Sequence, residues 1–312
     1  MKSIVALAGG VGAARFLSGL APVVGPERLF IVGNTGDDAE IHGLHVSPDL
    51  DTVTYALAGL SDWKRGWGIE GDTFECLRAL ERLGGETWFK LGDRDLATHL
   101  YRSGRLRQGA TLSQVTWEIA FALGVRARIV PMSDKPVPTL IETRCGVQEF
   151  QRYFVRQRAR DAVLGVHFYG MQEARPVDGV LKAIQRAAGV VVCPSNPIIS
   201  IGPILAVPGI REALRETAAP VAAISPIVGG RALKGPAARM MRSMGLRASA
   251  DQVAELYRDF VDVFVLDRVD RKLAPKVEAL GMRAVVTNTI MRGLAKKKAL
   301  AKAVVKALGL TL

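Results

Sequence analysis

Short apolar runs alternate with stretches of helical periodicity over the second half of the chain. Uninterrupted apolar runs are typical of strands that are buried on both faces of a sheet. The predicted strands are Ala162–Phe168, Val190–Cys193, Val221–Ile224, Val263–Leu266 and Arg283–Val286. The predicted helices lie near Pro176–Ala187, Ile210–Thr217, Pro236–Met244, Asp251–Phe260 and Leu273–Leu280. This alternation predicts a mostly parallel sheet with helices on both faces.

The N-terminal segment extends this pattern around a glycine turn. Ile4–Ala8 predicts a strand, Gly9–Gly12 a turn, and the residues from Ala13 onward a helix. Leu29–Gly33 predicts a second strand, which runs straight into Asn34. We therefore expect an α/β, Rossmann-like, doubly wound sheet of six or seven strands in a three-layer α/β/α arrangement.

The segment 51–160 has a different pattern. Helical periodicity covers Asp51–Leu60, Thr73–Leu83, Asp95–Ser103 and Leu112–Leu123, and strand-like runs follow at Ala127–Val130 and Thr139–Thr143. The four tryptophans of the chain all fall here, at Trp63, Trp67, Trp88 and Trp117. We interpret residues 51–160 as a helix-rich insertion that caps the sheet and forms much of a substrate pocket. Residues 1–50 and 161–312 would then form the nucleotide-binding core.

Composition narrows the class of protein. The chain has 312 residues, of which 49% are hydrophobic, as in an ordinary globular enzyme. Cys76, Cys145 and Cys193 are too far apart in the sequence for a disulfide framework or a zinc motif, which fits the reducing cytoplasm. The first apolar run stops at Gly9, so it predicts a strand and no signal peptide. No apolar run reaches the length of a membrane span.

The net charge of +12 is concentrated at the C-terminus. The stretch 291–312 contains six basic residues and no acidic one, and its apolar residues recur at helical spacing. This pattern predicts an amphipathic helix with a basic, solvated outer face, and contact with RNA or a membrane surface is the alternative. The remaining positive charge fits a small anionic substrate, so we expect neither a nucleic-acid nor a membrane partner.

The glycine turn is a candidate phosphate site. Backbone N–H groups of glycines between a strand and a helix can approach a phosphate, and the helix N-terminus favours its charge. A dinucleotide fingerprint would place a third small residue where Arg15 stands, so that match is incomplete. A phosphate loop and a plain tight turn both stay open, with Gly10, Gly12 and Asn34 as candidate nucleotide contacts.

Acidic residues gather after the second strand, at Asp37, Asp38, Asp49 and Asp51. Asp49 could cap the next helix, but capping would explain only one of the four carboxylates. Like charges this close are unfavourable unless a cation or a ligand lies among them. We expect Asp37 and Asp51 to hold a divalent ion. Because no His or Cys pattern accompanies these oxygen donors, Mg²⁺ is favoured, with Mn²⁺ possible in its place.

A charged stretch lies beside the aromatic residues between Trp88 and His99. Asp93 could cap the helix that follows it, with His99 one turn after Asp95 on the same helix face. The stretch fits either a capped helix with a local ion pair or a contact for a polar aromatic ligand. Lys90, Asp93 and Trp67 are the candidate contacts in the second case.

Two further turns follow predicted strands. Ser195 and Asn196 come directly after Val190–Cys193, and Ser225 follows Val221–Ile224. The carboxyl edge of a parallel sheet is where ligands of α/β proteins bind, so these three residues are further candidate nucleotide contacts. A role confined to the turns is the alternative.

Eight segments, in order over nearly the whole chain, resemble those of the 2-phospho-L-lactate transferase family, called CofD, or FbiA in actinobacteria. They are GGVGAARFL, GDD, SPDLDTVTY, RGWGIEGDTF, KLGDRDLATH, PMSDKPVPTLIET, PSNPIISIGPIL and SPIVGG. That family works in the biosynthesis of the deazaflavin coenzyme F420.

The resemblance implies a reaction. A 2-phospholactyl, phosphoenolpyruvyl or 3-phosphoglyceryl group would pass from a guanosine-diphosphate-activated donor to the ribityl hydroxyl of the deazaflavin Fo. The products would be GMP and F420-0 or its dehydro form, with Mg²⁺ required. The resemblance also implies a homodimer and deazaflavin contacts at Asp51 and Lys90. No Cys or Ser nucleophile is evident, so Asp37 and Asp51 would act by positioning and charge neutralisation.

Two rival functions belong to other classes. A related branch with the same core binds UDP-sugars and regulates metabolism without known transferase chemistry, and it shares the glycine turn and the Ser-Asn-Pro turn. The SPDLDTVTY and KLGDRDLATH segments and the tryptophan-rich insertion favour the transferase. An NAD-dependent dehydrogenase is disfavoured by Arg15 in the fingerprint.

Overall fold

The computed structural model describes residues 2–311. The strands in chain order are β1 Ile4–Ala8, β2 Leu29–Gly33, β3 Ala39–Ile41, β4 Leu44–Val46, β5 Arg128–Pro131, β6 Thr139–Thr143, β7 Gly146–Glu149, β8 Gly165–Phe168, β9 Gly189–Val192, β10 Val221–Ile224, β11 Ile227–Val228, β12 Arg231–Ala232, β13 Val263–Asp267 and β14 Arg283–Thr287. The α-helices are α1 Gly10–Val24, α2 Pro48–Leu57, α3 Glu75–Arg82, α4 Asp93–Arg107, α5 Leu112–Ala122, α6 Val180–Gln185, α7 Ile201–Ala206, α8 Ile210–Glu216, α9 Ala237–Ser243, α10 Ala250–Leu256, α11 Ala274–Glu278 and α12 Gly293–Ala307.

Seven parallel strands form the central sheet, in the order β14-β13-β10-β9-β1-β2-β5. The chain first runs outward from β1 through β2 to β5, and then returns to the other side of β1 to place β9. The order of strands therefore reverses between β1 and β9. In a doubly wound sheet the crevice at such a reversal, outside the carboxyl ends of the strands, is where ligands bind.

The helices cover the sheet on both faces. Successive side chains of a strand point to opposite faces. Ile4 and Ala6 of β1 accordingly pack with α1, α2, α5 and α12, whereas Val5 and Leu7 pack with the helices from α6 to α10. The predicted three-layer, doubly wound α/β fold is confirmed.

Two strands lie outside the sheet to which the sequence pattern assigned them. The run Ala162–Phe168 was predicted to belong to the parallel core, but β8 is part of a separate antiparallel sheet, β7-β6-β8. Conversely, Ala127–Val130 falls within the predicted insertion, yet β5 pairs in parallel with β2 at the edge of the central sheet. The division into a core and an insertion at residues 51 and 160 stays a prediction.

The basic C-terminal stretch forms α12, as predicted. Lys296, Lys302 and Lys306 are exposed, but Lys297 is buried between α12 and its neighbours. No helix within residues 2–311 combines the length and apolar character that crossing a bilayer requires.

Candidate active site

The glycine turn lies at the reversal point of the sheet. It joins β1 to α1, with Gly9 in extended conformation before the helix and Gly10 at φ +67°. The Gly9 N–H donates to Ser195 Oγ at 3.3 Å, which connects the ends of β1 and β9. A Cβ at Gly12 would lie 2.0 Å from the carbonyl oxygen of Pro194. Glycine at this position therefore allows α1 to pack directly against the turn after β9.

Asn34 ties three segments together at the end of β2. Its side-chain amide donates to Asp49 Oδ2 at 2.9 Å and to the Ile199 carbonyl at 3.2 Å, and its Oδ1 accepts the Gly36 N–H at 2.8 Å. The side chain is fully buried. Its present hydrogen bonds position Asp49 and the 34–38 turn, and a nucleotide contact by Asn34 stays a prediction.

Three carboxylates lie beside this turn: those of Asp37 and Asp49, which are buried, and that of Asp38, which is partly buried. Burial raises the pKa of Asp49 to about 7, and the charge of Asp38 adds to the rise, while hydrogen bonds from Asn34 and Gly10 oppose it. Burial and then the charge of Asp49 raise the pKa of Asp37 well above its ordinary value. We call these three residues the acid group.

The acid group fits a cation. Oδ1 of Asp37 and Oδ1 of Asp38 are buried and have no hydrogen-bond partner within the described residues. The other oxygen of Asp38 binds Ser47 Oγ at 2.8 Å and His45 Nε2 at 3.0 Å. Buried carboxylates that repel one another are the oxygen donors that Mg²⁺ and Mn²⁺ prefer. Over residues 2–311, however, no three His, Cys, Asp or Glu side chains stand close enough to form a ready metal site.

Asp51 extends from a different side of α2 than Asp49 does, and it pairs with Arg102. The helix α2 begins at Pro48, so Asp49 and Asp51 are both in its first turn, about 200° apart around the axis. Asp51 Oδ2 accepts Arg102 Nη1 at 3.0 Å, and Nη2 binds the other carboxylate oxygen. Asp51 is thus already paired with a buried guanidinium. Its predicted roles in metal and deazaflavin binding are untested by this geometry.

His99 extends the pair into a buried polar network. Its Nδ1 lies 3.7 Å from Asp51 Oδ2, and its Nε2 lies 3.2 Å from Asp95 Oδ1. The Tyr55 hydroxyl donates to that same oxygen of Asp95 at 2.8 Å. Through this network α4 holds the start of α2 in place.

Lys90 and Trp67 line an aromatic groove of about 550 Å³. Trp67 meets Phe74 edge-to-face at 6.2 Å between ring centroids, and the Arg65 guanidinium lies 4.9 Å from each ring. An apolar cleft with a few cationic groups suits a flat, polar heterocycle. The other three tryptophans lie elsewhere, for example Trp117, which is exposed and stacks on Phe121.

Asp93 caps a different helix from the one that the sequence indicated. Its carboxylate accepts the N–H groups of Glu75 and Cys76, at 2.9 and 3.0 Å, and so caps α3. The N–H groups at the start of α4 are satisfied instead by Asp72, which accepts from Arg94 and Asp95. Similarly, Asp49 lies inside α2 and does not cap it. A role of Asp93 in ligand binding stays a prediction.

The remaining nucleotide candidates lie at the carboxyl ends of β9 and β10. Ser195 holds the glycine turn, and Asn196 Oδ1 accepts the Ile198 N–H at 2.9 Å. The Asn196 amide nitrogen has only a weak contact with Met240 Sδ at 3.7 Å. Ser225 is buried, and its hydroxyl bonds both backbone groups of Ile227. Of the three, Asn196 has the donor that a ligand could engage most readily.

Comparison with known proteins identifies the family. Residues 4–306 match the family model for the 2-phospho-L-lactate transferase CofD. The chain is 42% identical to the 2-phospho-L-lactate transferase of Methanosarcina mazei, over 97% of this chain and 100% of that one. The chain belongs to the CofD family. It is therefore a transferase, and its family serves the biosynthesis of coenzyme F420.

The relatives of this chain are named for two different substrates, 2-phospho-L-lactate and phosphoenolpyruvate. The phosphoenolpyruvate transferase of Kitasatospora aureofaciens is 44% identical to this chain, over 89% of both proteins. The two identities are nearly equal, so similarity alone does not choose between the two acids. The family match confirms the predicted transferase and weakens the regulator and dehydrogenase alternatives.

The CofD-family chain also resembles a solved structure. A UPF0052-family protein from Bacillus halodurans superposes with a TM-score of 0.63 and 17% identity, over 97% of this chain and 98% of that one. At this level of identity the likeness concerns the fold alone.

Sequence reasoning missed Arg102. The residue is 1% exposed and pairs with a carboxylate that lies 51 positions earlier in the chain. A signal was present, because Asp95, His99 and Arg102 recur at the i, i+4, i+7 spacing of one helix face. A polar stripe at that spacing on a buried face indicates partners on a facing element.

Proposed function

We propose that this protein transfers a phosphorylated three-carbon acid from a guanosine-diphosphate-activated donor to the deazaflavin Fo, with release of GMP. The acid is 2-phospholactyl, phosphoenolpyruvyl or 3-phosphoglyceryl. Support comes from family membership and from relatives named for two of these acids. One observation carries the proposal: the glycine turn and the acid group lie next to each other, at the point where the strand order of the sheet reverses.

The donor's diphosphate would bind at the N-terminus of α1. The backbone N–H groups near Gly10 and Gly12 and the dipole of this 15-residue helix favour an anion there. Asn196 would add a side-chain donor from the end of β9. Because the Gly10 N–H now bonds to Asp49, the binding of an anion requires that Asp49 be neutral or offset by a cation.

The acceptor would bind in the groove of Trp67 and Lys90. Its aromatic walls can cover a deazaflavin ring, and Lys90 and Arg65 can meet the polar edge. The ribityl hydroxyl would attack the distal phosphorus directly. A bond forms from the hydroxyl oxygen to that phosphorus, the bond to the GMP oxygen breaks, and the hydroxyl proton passes to solvent.

The oxygen donors of the acid group match the preference of Mg²⁺, or of Mn²⁺ in its place, although no three of the described carboxylates form a ready metal site. The unpartnered oxygens of Asp37 and Asp38 and the raised pKa of Asp49 make these the residues that would hold it. When bound, it would neutralise charge on the diphosphate. Asp51 would join this set only by giving up its pair with Arg102, and we retain it as a second-choice ligand.

The experiment is product analysis with Fo and each of the three donors. We expect Fo to gain the mass of one phosphorylated acid and GMP to appear in equal amount. Asp37→Asn should strongly reduce product formation, whereas Asp251→Asn, a change at a buried acid on α10, should leave it intact. Hydrolysis of the donor without a modified Fo, or UDP-sugar binding without turnover, would contradict the proposal. A homodimer in the cytoplasm stays part of the proposal.

A further inference from the structure

Two cations lie against Trp63, next to the glycine turn, and a third lies close enough to one of them for their charges to interact. Lys297 Nζ of α12 lies 3.5 Å from the centroid of the Trp63 ring. The Arg15 guanidinium of α1 lies 5.7 Å from the same centroid, and its Nη2 donates to the Trp63 carbonyl at 3.4 Å. Lys234 joins them from the loop between β12 and α9. We call Arg15, Lys234 and Lys297 the cation cluster.

Lys297 is the buried member of the cation cluster. A Cβ at Gly19 of α1 would lie 2.5 Å from the Lys297 backbone, so glycine there lets α12 approach α1 closely. As a result the lysine lies between the helices, and it is 7% exposed. Burial, followed by the charge of Arg15, lowers its pKa to about 8.

The ammonium group of Lys234 lies beside the backbone of Gly66. A Cβ at Gly66 would lie 2.1 Å from Lys234 Nζ. Gly66 has φ +87°, a conformation that other residues rarely adopt. Because Gly66 has no side chain, the RGWG segment leaves space for the ammonium group of Lys234. A larger residue at this position would occupy that space. Lys234 is largely exposed, but partial desolvation of its ammonium group and then the charge of Arg15 lower its pKa.

The cation cluster contains no compensating acid. Within the part of the chain that the structure describes, no carboxylate oxygen lies within 4.0 Å of a charged nitrogen of Arg15, Lys234 or Lys297. Nε of Arg15 is also buried without a hydrogen-bond partner. Buried charges in proteins are normally paired, and like charges that face one another are unfavourable. Contact with an aromatic face offsets only part of that cost.

We propose that Arg15, Lys234 and Lys297 form a subsite for an oxyanion of the donor, either a phosphate or the carboxylate of its three-carbon acid. Arg15 follows Gly12 by three residues, which is about 4.5 Å along α1, so the cluster borders the predicted diphosphate site. A donor with two phosphates and a carboxylate carries several negative charges that can pair with the three cations of the cluster. The nature of the donor rests on the proposed function, but oxyanion binding does not.

The test compares Lys297→Met with Lys296→Met, a change at the exposed neighbour on α12. Binding of inorganic phosphate, GDP and phosphoenolpyruvate is measured by calorimetry without Fo. We expect Lys297→Met and Lys234→Ala to weaken binding of at least one of these anions roughly tenfold or more, and Lys296→Met to have no effect. Loss confined to phosphoenolpyruvate assigns the cluster to the acid, and loss shared with GDP assigns it to the diphosphate.

Thermal unfolding provides a second measurement. Phosphate should raise the Tm of the wild type and raise that of Lys297→Met less. If Lys297→Met does not fold, the exposed Lys234→Ala decides the outcome. Equal affinity of Lys234→Ala and wild type for all three anions would overturn the proposal. Retained anion binding without Fo-dependent turnover would instead contradict the proposed function and leave the subsite in place.

Discussion

Arg102 of α4 forms a two-bond ion pair with Asp51 of α2, and both side chains are almost fully buried. The charge of Asp51 and its hydrogen bonds raise the pKa of Arg102, although burial by itself opposes that rise. The pair fixes the start of α2, and with it the position of Asp49 two residues earlier. Arg102 therefore helps to set the geometry of the acid group, and its charge also acts on Asp38.

Removal of one partner of this pair should be costly. Arg102→Met leaves the Asp51 carboxylate buried without its counter-ion, which typically destabilises a protein by about 3–5 kcal/mol. Chemical denaturation of wild type and variant measures the difference. Arg105→Met, on the same helix, breaks the more exposed pair with Glu118 and should change stability far less.

A double variant checks the reason for that loss. In Arg102→Met with Asp51→Leu no uncompensated charge remains, so much of the stability should return. If the double variant is as unstable as the sum of its two single variants, the ion pair is not the cause.

Much of the fold could be predicted because its determinants are local. Strands buried on both faces are continuous apolar runs, and the glycine turn after Ile4–Ala8 marks the switch from strand to helix. The assignment of β5 and β8 to their sheets could not be predicted, because it depends on pairing with distant strands. Short runs such as Ala127–Val130 carry no information about their partners.

The sequence predicts which residues belong to the candidate site, but it does not predict how their side chains are oriented relative to one another. The sequence predicts Asp37, Asp49 and Asp51 near one sheet edge, and in the structure Asp49 and Asp51 extend from different sides of the first turn of α2. The difference arises from the start of α2, which begins at Pro48, three residues before the predicted start at Asp51. Which way each acid faces depends on that boundary, and helix boundaries are poorly defined by local sequence.

The acid group should make stability fall as the pH rises. Asp49 has a pKa of about 7 in the folded protein and an ordinary value near 3.8 when unfolded. Between these values the folded state binds more protons than the unfolded state, so its stabilisation is greatest below pH 4 and is lost as the pH rises toward 7. The slope is about 1.4 kcal/mol per pH unit for one such group.

Denaturant titrations at several pH values measure this slope. In Asp49→Asn the contribution of Asp49 is absent, so the free energy of unfolding should depend less on pH between 4 and 7. The control Asp251→Asn removes a buried acid whose pKa is lowered, and it should leave the fall between pH 4 and 7 in place. An unchanged slope in Asp49→Asn would show that its carboxyl titrates normally.

The groove predicts where Fo binds. Trp67→Ala removes an aromatic wall, and Lys90→Ala removes a cation at the rim, so both should weaken Fo affinity. We expect the Fo affinity of Trp67→Ala to fall roughly tenfold, because stacking of a flat heterocyclic base on an aromatic side chain is worth about 1–3 kcal/mol. Fluorescence titration of Fo measures the effect. Trp117→Ala changes an exposed tryptophan outside the groove and should bind as wild type. Full affinity in both groove variants would place the deazaflavin elsewhere.

Turnover should require a divalent ion at the acid group. Asp37 has a buried oxygen without a partner, and its pKa is raised by burial and by Asp49, so a bound cation would relieve an existing repulsion. Each Asp→Asn change removes a charge with little change in shape. Asp37→Asn should therefore lower turnover and bind Mn²⁺ more weakly in a paramagnetic titration, with partial recovery at high Mg²⁺. Asp51→Asn distinguishes Asp37 from Asp51 as the metal ligand. Because Asp51 is paired with Arg102, we expect this variant to lose stability while its affinity for Mn²⁺ changes little. Full activity in EDTA, or in the Asp37→Asn and Asp51→Asn double variant, would exclude a metal-dependent reaction.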